Sequence, residues 1–213
     1  MPNFARFIEA KIKQAARGSA PLEKPASGRV PPGQHVVENF PVLDLGTRPA
    51  IRPQEWTLEL CGRVEQPQTL DWQAFQSLPR VERTADIHCV TRWTRLDVPW
   101  GGVAARAVVE LVRPLPDAGF VTLHCYDGYT TNIPLDVLMR DDALLADNVD
   151  GKPLSKEHGG PVRLVVPALY FWKSAKWIRA IEFHAEDRPG FWETRGYHNQ
   201  ADPWQEQRYE RRR

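Results

Sequence analysis

Two groups of residues in this 213-residue chain have side chains whose types and spacing could do chemistry. The first group surrounds Cys89, which is followed closely by Thr91, Arg92 and Arg95. Hydroxyl and cationic neighbours lower the pKa of a thiol and favour the thiolate, the form that binds soft metals. The sequence therefore favours a thiolate at Cys89, a form that could bind a soft metal.

The second group lies far downstream and combines cations with a hydroxyl. It contains His158, Arg163, Lys173, Ser174 and Lys176, which alternate with apolar residues. Arginine and lysine beside a hydroxyl form a pocket suited to a phosphate-bearing cofactor. A solvated cationic face fits the same residues equally well, so composition alone leaves both interpretations open.

Two His-Cys pairs raise a zinc site as an alternative. His88-Cys89 and His124-Cys125 each stand near the end of a predicted strand, and imidazole and thiolate are the usual zinc ligands. Neighbouring residues of a strand point to opposite faces, so the two members of one pair cannot easily share a metal. Zinc is therefore disfavoured, and plain core packing is predicted for Cys61 and Cys125.

Motifs of several common enzyme classes are missing from the sequence. It contains no G-x-S-x-G, G-x-x-x-x-G-K-[ST], G-x-G-x-x-G or H-E-x-x-H, so serine hydrolases, P-loop hydrolases, dinucleotide enzymes and zincins are unsupported. Because 28 basic and 27 acidic side chains give a net charge of +1, a nucleic-acid partner is not expected. No run approaches the roughly 20 apolar residues of a membrane helix, so no membrane partner is expected either.

The pattern of apolar residues predicts an α+β fold with short elements. Strands are predicted over residues 56–60, 81–90, 120–126, 129–133, 162–167 and 177–183, and helices over residues 71–78 and 103–112. The last strand is predicted to alternate, with one face made of Trp177, Arg179, Ile181 and Phe183 and the other of Ile178 and Ala180. Helices that do not alternate with the strands favour α+β over a doubly wound sheet.

The chain is predicted to consist of an N-terminal helical arm and one domain. Residues 4–15 place apolar side chains at helical spacing, and residues 18–33 have the composition of an extended linker. These segments form the predicted arm over residues 1–34, and the domain is predicted to span residues 35–213. The basic run that ends the domain, Arg208 and Arg211 to Arg213, is expected to be a solvated, frayed tail.

The two groups of residues also resemble a known family in their order along the chain. Residues 86–93 (DIHCVTRW) and 100–103 (WGGV) are similar to the molybdenum-ligand segment of the sulfite oxidase family. The segments that resemble its pterin-binding stretch are residues 150–154 (DGKPL), 158–167 (HGGPVRLVVP) and 173–178 (KSAKWI). The motifs GFWE, GYHN and DPW between residues 190 and 204 are similar to the compact bacterial sulfite-oxidase-like oxidoreductases.

The resemblance implies a sulfite-oxidase-type molybdopterin-binding domain with a mixed sheet. At the matching position, Cys89 is the protein thiolate on molybdenum. The residues that fall where the family contacts the pterin and its phosphate are His158, Arg163, Ser174 and Lys176. Asn39 falls in the family's N-terminal cofactor loop.

The resemblance also implies an active-site cavity around the cofactor. Tyr197 stands where the sulfite oxidases carry an active-site tyrosine, and it could donate a hydrogen bond to the reacting oxygen. Arg92 or Arg95 could hold an anionic substrate, and Asp127 or His124 could line the same cavity.

The implied activity is oxygen-atom transfer to or from a small, sulfur-containing substrate, with a molybdenum–molybdopterin cofactor that the protein positions and tunes. The sulfite oxidases carry an arginine in the loop that here reads Val37-Glu38-Asn39, which argues against sulfite itself. The chain has no room for the family's haem and dimerisation domains, which implies a separate electron carrier. It shows no twin-arginine or other signal sequence, which favours the cytoplasm.

A non-catalytic pterin-binding or metal-binding module is the alternative from another class. Such a carrier has no need of a metal thiolate with a tyrosine beside it. The presence of both Cys89 and Tyr197 therefore favours an enzyme.

Overall fold

The computed structural model describes residues 28–39 and 41–210, which form a mostly β fold. The strands are β1 (His35–Val36), β2 (Thr57–Gly62), β3 (Gln68–Asp71), β4 (Arg80–His88), β5 (Trp93–Ala104), β6 (Phe120–Cys125), β7 (Thr130–Pro134), β8 (Leu144–Val149), β9 (Lys152–Pro153), β10 (Arg163–Val165) and β11 (Ile178–His184). The helices are α1 (Trp72–Ser77), α2 (Ala105–Val112) and α3 (Leu135–Leu138), with short 3₁₀ turns at Pro53–Glu55, Lys156–His158, Phe171–Lys173 and Glu193–Arg195. None of these described helices has the length and apolar character needed to cross a bilayer. The predicted helix at residues 4–15 lies outside the described residues, and the domain boundary at residue 35 stays a prediction.

The strands form two mixed sheets. Sheet A has the order β1-β5-β8-β10, and β4 also pairs with β5 and β9 with β8. Among the described strands of sheet A, the β1–β5 pair is parallel and the other pairs are antiparallel. Sheet B has the order β3-β2-β11-β6-β7, with a parallel β2–β11 pair. The predicted mixed sheet is therefore confirmed, but the helical share is smaller than an α+β fold implies.

Strand β5 is the longest strand of the described chain, and the sequence pattern does not predict it. The helix predicted over residues 103–112 begins only at Ala105, because the two residues before it still belong to β5. Pro99 and Gly102 interrupt the usual strand pattern, yet β4 and β8 pair with β5 on its two sides. A Cβ on Gly102 would lie 2.1 Å from the carbonyl oxygen of Leu145, so this close pairing requires glycine.

Strand β11 lies in the middle of sheet B. Its position in the sequence agrees with the predicted strand, but the residues that share each face differ from the prediction. A bulge against β6 shifts the register between Ile178 and Ala180. Ile178 is therefore buried in the same core as Ile181 and Phe183, whereas Arg179 is exposed. The predicted strict alternation is wrong because a bulge moves the side chains on one side of it to the other face.

Two apolar cores stabilise these sheets. The larger core packs α2 against sheet B and includes Cys125, in agreement with its predicted packing role. The smaller core packs the connection between β4 and β5 against the C-terminal segment. It contains Cys89, Trp93, Trp100 and Tyr197. Residues far apart in the sequence are thereby brought to one side of sheet A.

Candidate active site

A partly enclosed cavity of about 150 Å³ brings most of the predicted site residues together. The predicted residues that line it are Cys89, His158, Arg163, Ser174, Lys176 and Tyr197. Asp127 lines it as well, whereas His124 Nε2 lies 2.9 Å from Glu182 Oε2, outside the lining. Asn39 and Arg92 are exposed and are not among the described lining residues, so the roles assigned to them stay predictions.

Cys89 begins the tight connection between β4 and β5. Its N–H donates to the Trp93 carbonyl at 2.9 Å, and its own carbonyl accepts from the Arg92 N–H at 3.0 Å. Arg92 has a φ of 76°, in the left-handed region, which lets this short connection reverse the chain. The turn leaves the Cys89 side chain only 6% exposed, in the cavity wall.

The Cys89 thiol has a different environment from the one predicted. Burial raises its pKa and outweighs both the Thr91 hydroxyl, which donates to Sγ at 3.2 Å, and the charge of Arg208. Arg95 instead binds the carboxylate of Asp150 at 2.8 Å. The predicted lowering of the thiol pKa is therefore wrong, because desolvation of the thiolate is the larger effect. A bound metal cation supplies the countercharge that a buried thiolate needs.

Arg163 is buried in the cavity wall, with 2% of its surface exposed. Its Nη1 donates to the His158 carbonyl at 2.9 Å and its Nη2 to the Ser174 carbonyl at 2.7 Å, which joins two of the predicted cofactor segments. The guanidinium lies 4.2 Å from the ring centre of Phe171. Desolvation lowers the pKa of Arg163 to about 9, so this side chain remains a cation at neutral pH.

Lys176 and His158 lie in the electric field of Arg163. Burial, and then the charge of Arg163, lower the pKa of Lys176 to about 7, although Asp44 opposes this shift. Burial followed by the charges of Arg163 and Lys176 lowers the pKa of His158 to about 4, so this ring is neutral at pH 7. An anion relieves repulsion among clustered cations, so this part of the wall is suited to a phosphate.

Ser174 and Lys173 are adjacent in sequence but have different surroundings. Ser174 Oγ accepts a hydrogen bond from the Val166 N–H at 3.0 Å beside the cavity. Lys173 is fully buried, with its Nζ 2.7 Å from Glu193 Oε1 and 2.8 Å from the Asn132 carbonyl oxygen. Lys173 therefore neutralises Glu193 in the interior, and neither of the two alternatives left open for it, a phosphate pocket or a solvated face, describes its position.

Three aromatic side chains form a further part of the cavity wall. The Tyr197 ring centre lies 5.2 Å from that of Trp172, edge-on, and 4.7 Å from that of Trp192. Burial, together with nearby Tyr209 and Cys89, raises the pKa of Tyr197 well above its usual value. The phenol therefore stays protonated at neutral pH and can donate a hydrogen bond.

Sequence reasoning missed several lining residues. Trp192 lies in the tail motif GFWE, which was a usable signal, whereas Trp172 carries no motif of its own. The segment at residues 41–45 also lines the cavity, and its Asp44 carboxylate binds Arg48 Nε at 2.7 Å. A carboxylate in a loop gives no sequence signal for this contact.

The lining residues fit a molybdenum–pterin group that carries a phosphate. Cys89 offers a soft sulfur ligand, and Arg163 and Lys176 offer cations and hydrogen-bond donors. Gly159, with a φ of 103°, lets the backbone approach these groups, since a Cβ there would lie 2.9 Å from Lys176 Cβ. Within the described part of the chain, no three His, Cys, Asp or Glu side chains are grouped for a metal, so the zinc alternative has no protein ligand set there.

Known proteins similar to this chain identify its family. Residues 45–192 match the oxidoreductase molybdopterin binding domain. The chain belongs to this family. It is 49% identical over 184 residues to the uncharacterized oxidoreductase YuiH of Bacillus subtilis, a match that covers 86% of this chain and 93% of YuiH. This molybdopterin-dependent oxidoreductase is therefore an enzyme of the sulfite oxidase type, and the resemblance seen in its motifs is confirmed.

Two further relatives of this oxidoreductase are larger proteins. It is 32% identical over 158 residues to the protein-methionine-sulfoxide reductase catalytic subunit MsrP of Campylobacter jejuni, covering 66% of this chain and 53% of MsrP. The crystal structure of the sulfane dehydrogenase SoxCD from Paracoccus pantotrophus has the same fold, with a TM-score of 0.61 and 22% identity. That match covers 76% of this chain and 45% of the SoxCD chain, so this oxidoreductase spans about half the length of either relative.

Proposed function

We propose that the chain catalyses oxygen-atom transfer to or from a small, sulfur-containing substrate, with a molybdenum–molybdopterin cofactor held in the cavity. The observation that carries this proposal is the convergence of Cys89, Arg163, Lys176 and Tyr197 on one cavity. The cofactor, when bound, supplies two-electron redox chemistry and an exchangeable oxygen atom.

The residues of the cavity have distinct proposed roles. Cys89 is the protein ligand of molybdenum. The residues that bind the pterin and its phosphate are His158, Arg163, Ser174 and Lys176, with Asn39 from the N-terminal cofactor loop. Arg163 is held by two carbonyl groups, which fixes its cation before any ligand binds and lowers the entropy lost on binding.

Tyr197 is the proposed donor to the reacting oxygen of the substrate. Its raised pKa keeps the phenol protonated, and the rings of Trp172 and Trp192 keep water from its face. In the reductive direction, a sulfoxide takes up two electrons and two protons and becomes a sulfide and water. We assign Arg92, which is exposed and outside the described lining, to binding any anionic group that the substrate carries away from its sulfur atom.

A sulfur substrate and a separate electron carrier are supported by the relatives. One is a reductase of methionine sulfoxide in proteins and the other a sulfane dehydrogenase, and the first is named as a catalytic subunit. The aromatic wall favours an apolar sulfur compound over the sulfite dianion. We place the reaction in a reducing compartment such as the cytoplasm, because Cys61, Cys89 and Cys125 are all free thiols.

The first experiment measures molybdenum by plasma mass spectrometry and pterin by fluorescence, in protein from a host fed molybdate. We expect about one of each per chain, and reduction of an aryl methyl sulfoxide by a dye electron donor. Cys89→Ser is expected to abolish this turnover and to retain the fold and much of the pterin, whereas the matched control Cys61→Ser keeps full activity. Full activity in Cys89→Ser, or zinc without pterin in the wild type, would contradict the proposal and support a binding module instead.

A further inference from the structure

The C-terminal part of the described chain contains a buried cation that none of the roles above explains. Arg208 is only 6% exposed, so its predicted place in a solvated tail is wrong. Its Nη1 donates to the Val90 carbonyl at 2.8 Å and its Nη2 to the Pro32 carbonyl at 3.3 Å. Its ion pair with the exposed residue Glu206 is long, at 3.8 Å. A buried cation with such weak pairing is costly, so its location calls for a specific benefit.

Arg208 belongs to a set of three donors that hold the connection between β4 and β5 from outside that hairpin. Gln34 Nε2 donates to the Cys89 carbonyl at 3.0 Å, and Arg208 donates to the next carbonyl, that of Val90. The first residue of β1 donates its N–H to the Arg92 carbonyl at 2.9 Å. The turn that presents the Cys89 thiol is therefore held at three of its carbonyl groups by distant segments of the chain.

We propose that Arg208 is a positioning residue for Cys89, which holds the Val90 carbonyl so that Sγ faces the cavity. This inference rests on the role of Cys89 as metal ligand in the proposed function. The guanidinium also lies 4.9 Å from the ring centre of Tyr170, which restricts its orientation. Two carbonyls bound by one planar group require arginine geometry.

The first test uses protein without cofactor and measures amide hydrogen exchange in the peptide covering residues 89–93. Arg208→Gln is compared with Arg106→Gln, a matched control because the Arg106 Nε and Nη2 donate to the Met139 carbonyl. Arg208→Gln is expected to speed exchange in this peptide about tenfold or more, while the rest of the chain exchanges as in the wild type. The control is expected to leave residues 89–93 unchanged.

The second test uses the loaded enzyme and the aryl methyl sulfoxide. Arg208→Gln is expected to lower kcat roughly 10–100-fold, the usual effect of losing a group that orients a metal ligand, and to shift the visible absorption of the bound metal. KM is expected to change less than about twofold, because the substrate is not touched. Arg208→Lys, which keeps a donor for one of the two carbonyls, is expected to restore part of kcat.

Two results would overturn the proposal. One is wild-type exchange at residues 89–93 together with wild-type kcat in Arg208→Gln. The other is equal loss in Arg208→Gln and Arg208→Lys with faster exchange throughout the chain, which would mean a role in stability alone. Should Arg208→Gln fail to fold, Gln34→Met removes a neighbouring donor from the same turn and carries the same expectations. The exchange test needs no cofactor, so its result for the Cys89 turn is distinguishable from a failure of the proposed function, which Cys89→Ser tests.

Discussion

Burial shifts the ionisable side chains of the cavity toward their neutral forms. It raises the pKa of Cys89 and Tyr197 and lowers that of Lys176 and His158. For Tyr197 this state is the useful one, since a neutral phenol donates a hydrogen bond. For Cys89 and Lys176 the useful state is charged, and the bound metal and phosphate are the partners that favour it.

Anion binding at Lys176 is expected to weaken as the pH rises. The anion binds the ammonium form, which is lost as the pH passes the lowered pKa of about 7, while Arg163 with a pKa of about 9 stays charged. The charge of sulfate is constant in this pH range, so sulfate is a suitable probe. The affinity of cofactor-free protein for sulfate should fall between about pH 6 and pH 8, and the fall should approach tenfold per pH unit at the upper end. Calorimetry measures this, and Lys176→Arg should flatten the profile whereas the exposed control Lys152→Arg should not. An affinity of the wild type that does not change with pH would contradict the assignment.

Replacement of Tyr197 by Phe removes only the hydroxyl group from the aromatic wall. Turnover is expected to fall roughly 100-fold or more, as for other donors to a reacting oxygen, with little change in molybdenum content. Steady-state kinetics and metal analysis check this, with Tyr126→Phe as the control because Tyr126 lies outside the lining. Loss of the metal from Tyr197→Phe would instead make Tyr197 a cofactor-binding residue.

Short 3₁₀ turns, rather than long helices, position the aromatic wall at the scale of elements. The turn Phe171–Lys173 carries Trp172, and the turn Glu193–Arg195 precedes Tyr197. Glu193 Oε1 joins the two turns, since it accepts from Trp172 Nε1 at 3.0 Å and lies 2.7 Å from Lys173 Nζ. The orientation of the wall therefore depends on one buried ion pair.

Removal of one partner of this pair should be strongly destabilising. Lys173→Met leaves the Glu193 carboxylate buried without its cation, and the expected loss is about 3–5 kcal/mol in the free energy of unfolding. Arg63→Met breaks the exposed pair with Asp117 and is expected to cost less than about 1 kcal/mol. Urea denaturation compares them, and similar losses in both variants would show that the buried pair has no special role.

Local elements with regular patterns could be predicted from the sequence, whereas long-range contacts could not. Asp71 caps α1 by accepting from the Ala74 N–H, a local signal that identifies this helix. Strand β5 could not be predicted because its pairing with β4 and β8 overrides the tendency of Pro99 to interrupt a strand. The motif order predicted Cys89 in the site, but the contact of Arg208 with its turn depends on tertiary packing alone.

The cavity draws on segments spread over most of the molecule, from residue 41 to residue 197. A cofactor that binds only the folded arrangement stabilises all of these segments together. Protein loaded with cofactor is therefore expected to have a higher Tm than protein from a host unable to make the pterin. The free energy of unfolding is expected to rise by about 2.7 kcal/mol or more when the cofactor concentration exceeds its Kd 100-fold. Differential scanning calorimetry measures this, and equal Tm values would contradict binding across the fold.

The contact between Arg208 and Val90 spans 118 residues of sequence, and this has a consequence for biosynthesis. When the turn at Cys89 leaves the ribosome, the arginine that holds it has not yet been translated. Domains fold as units once their chain has emerged, so the thiol reaches its final orientation only after translation has passed Arg208. We therefore expect the site to become competent for cofactor binding only after Arg208 has been translated.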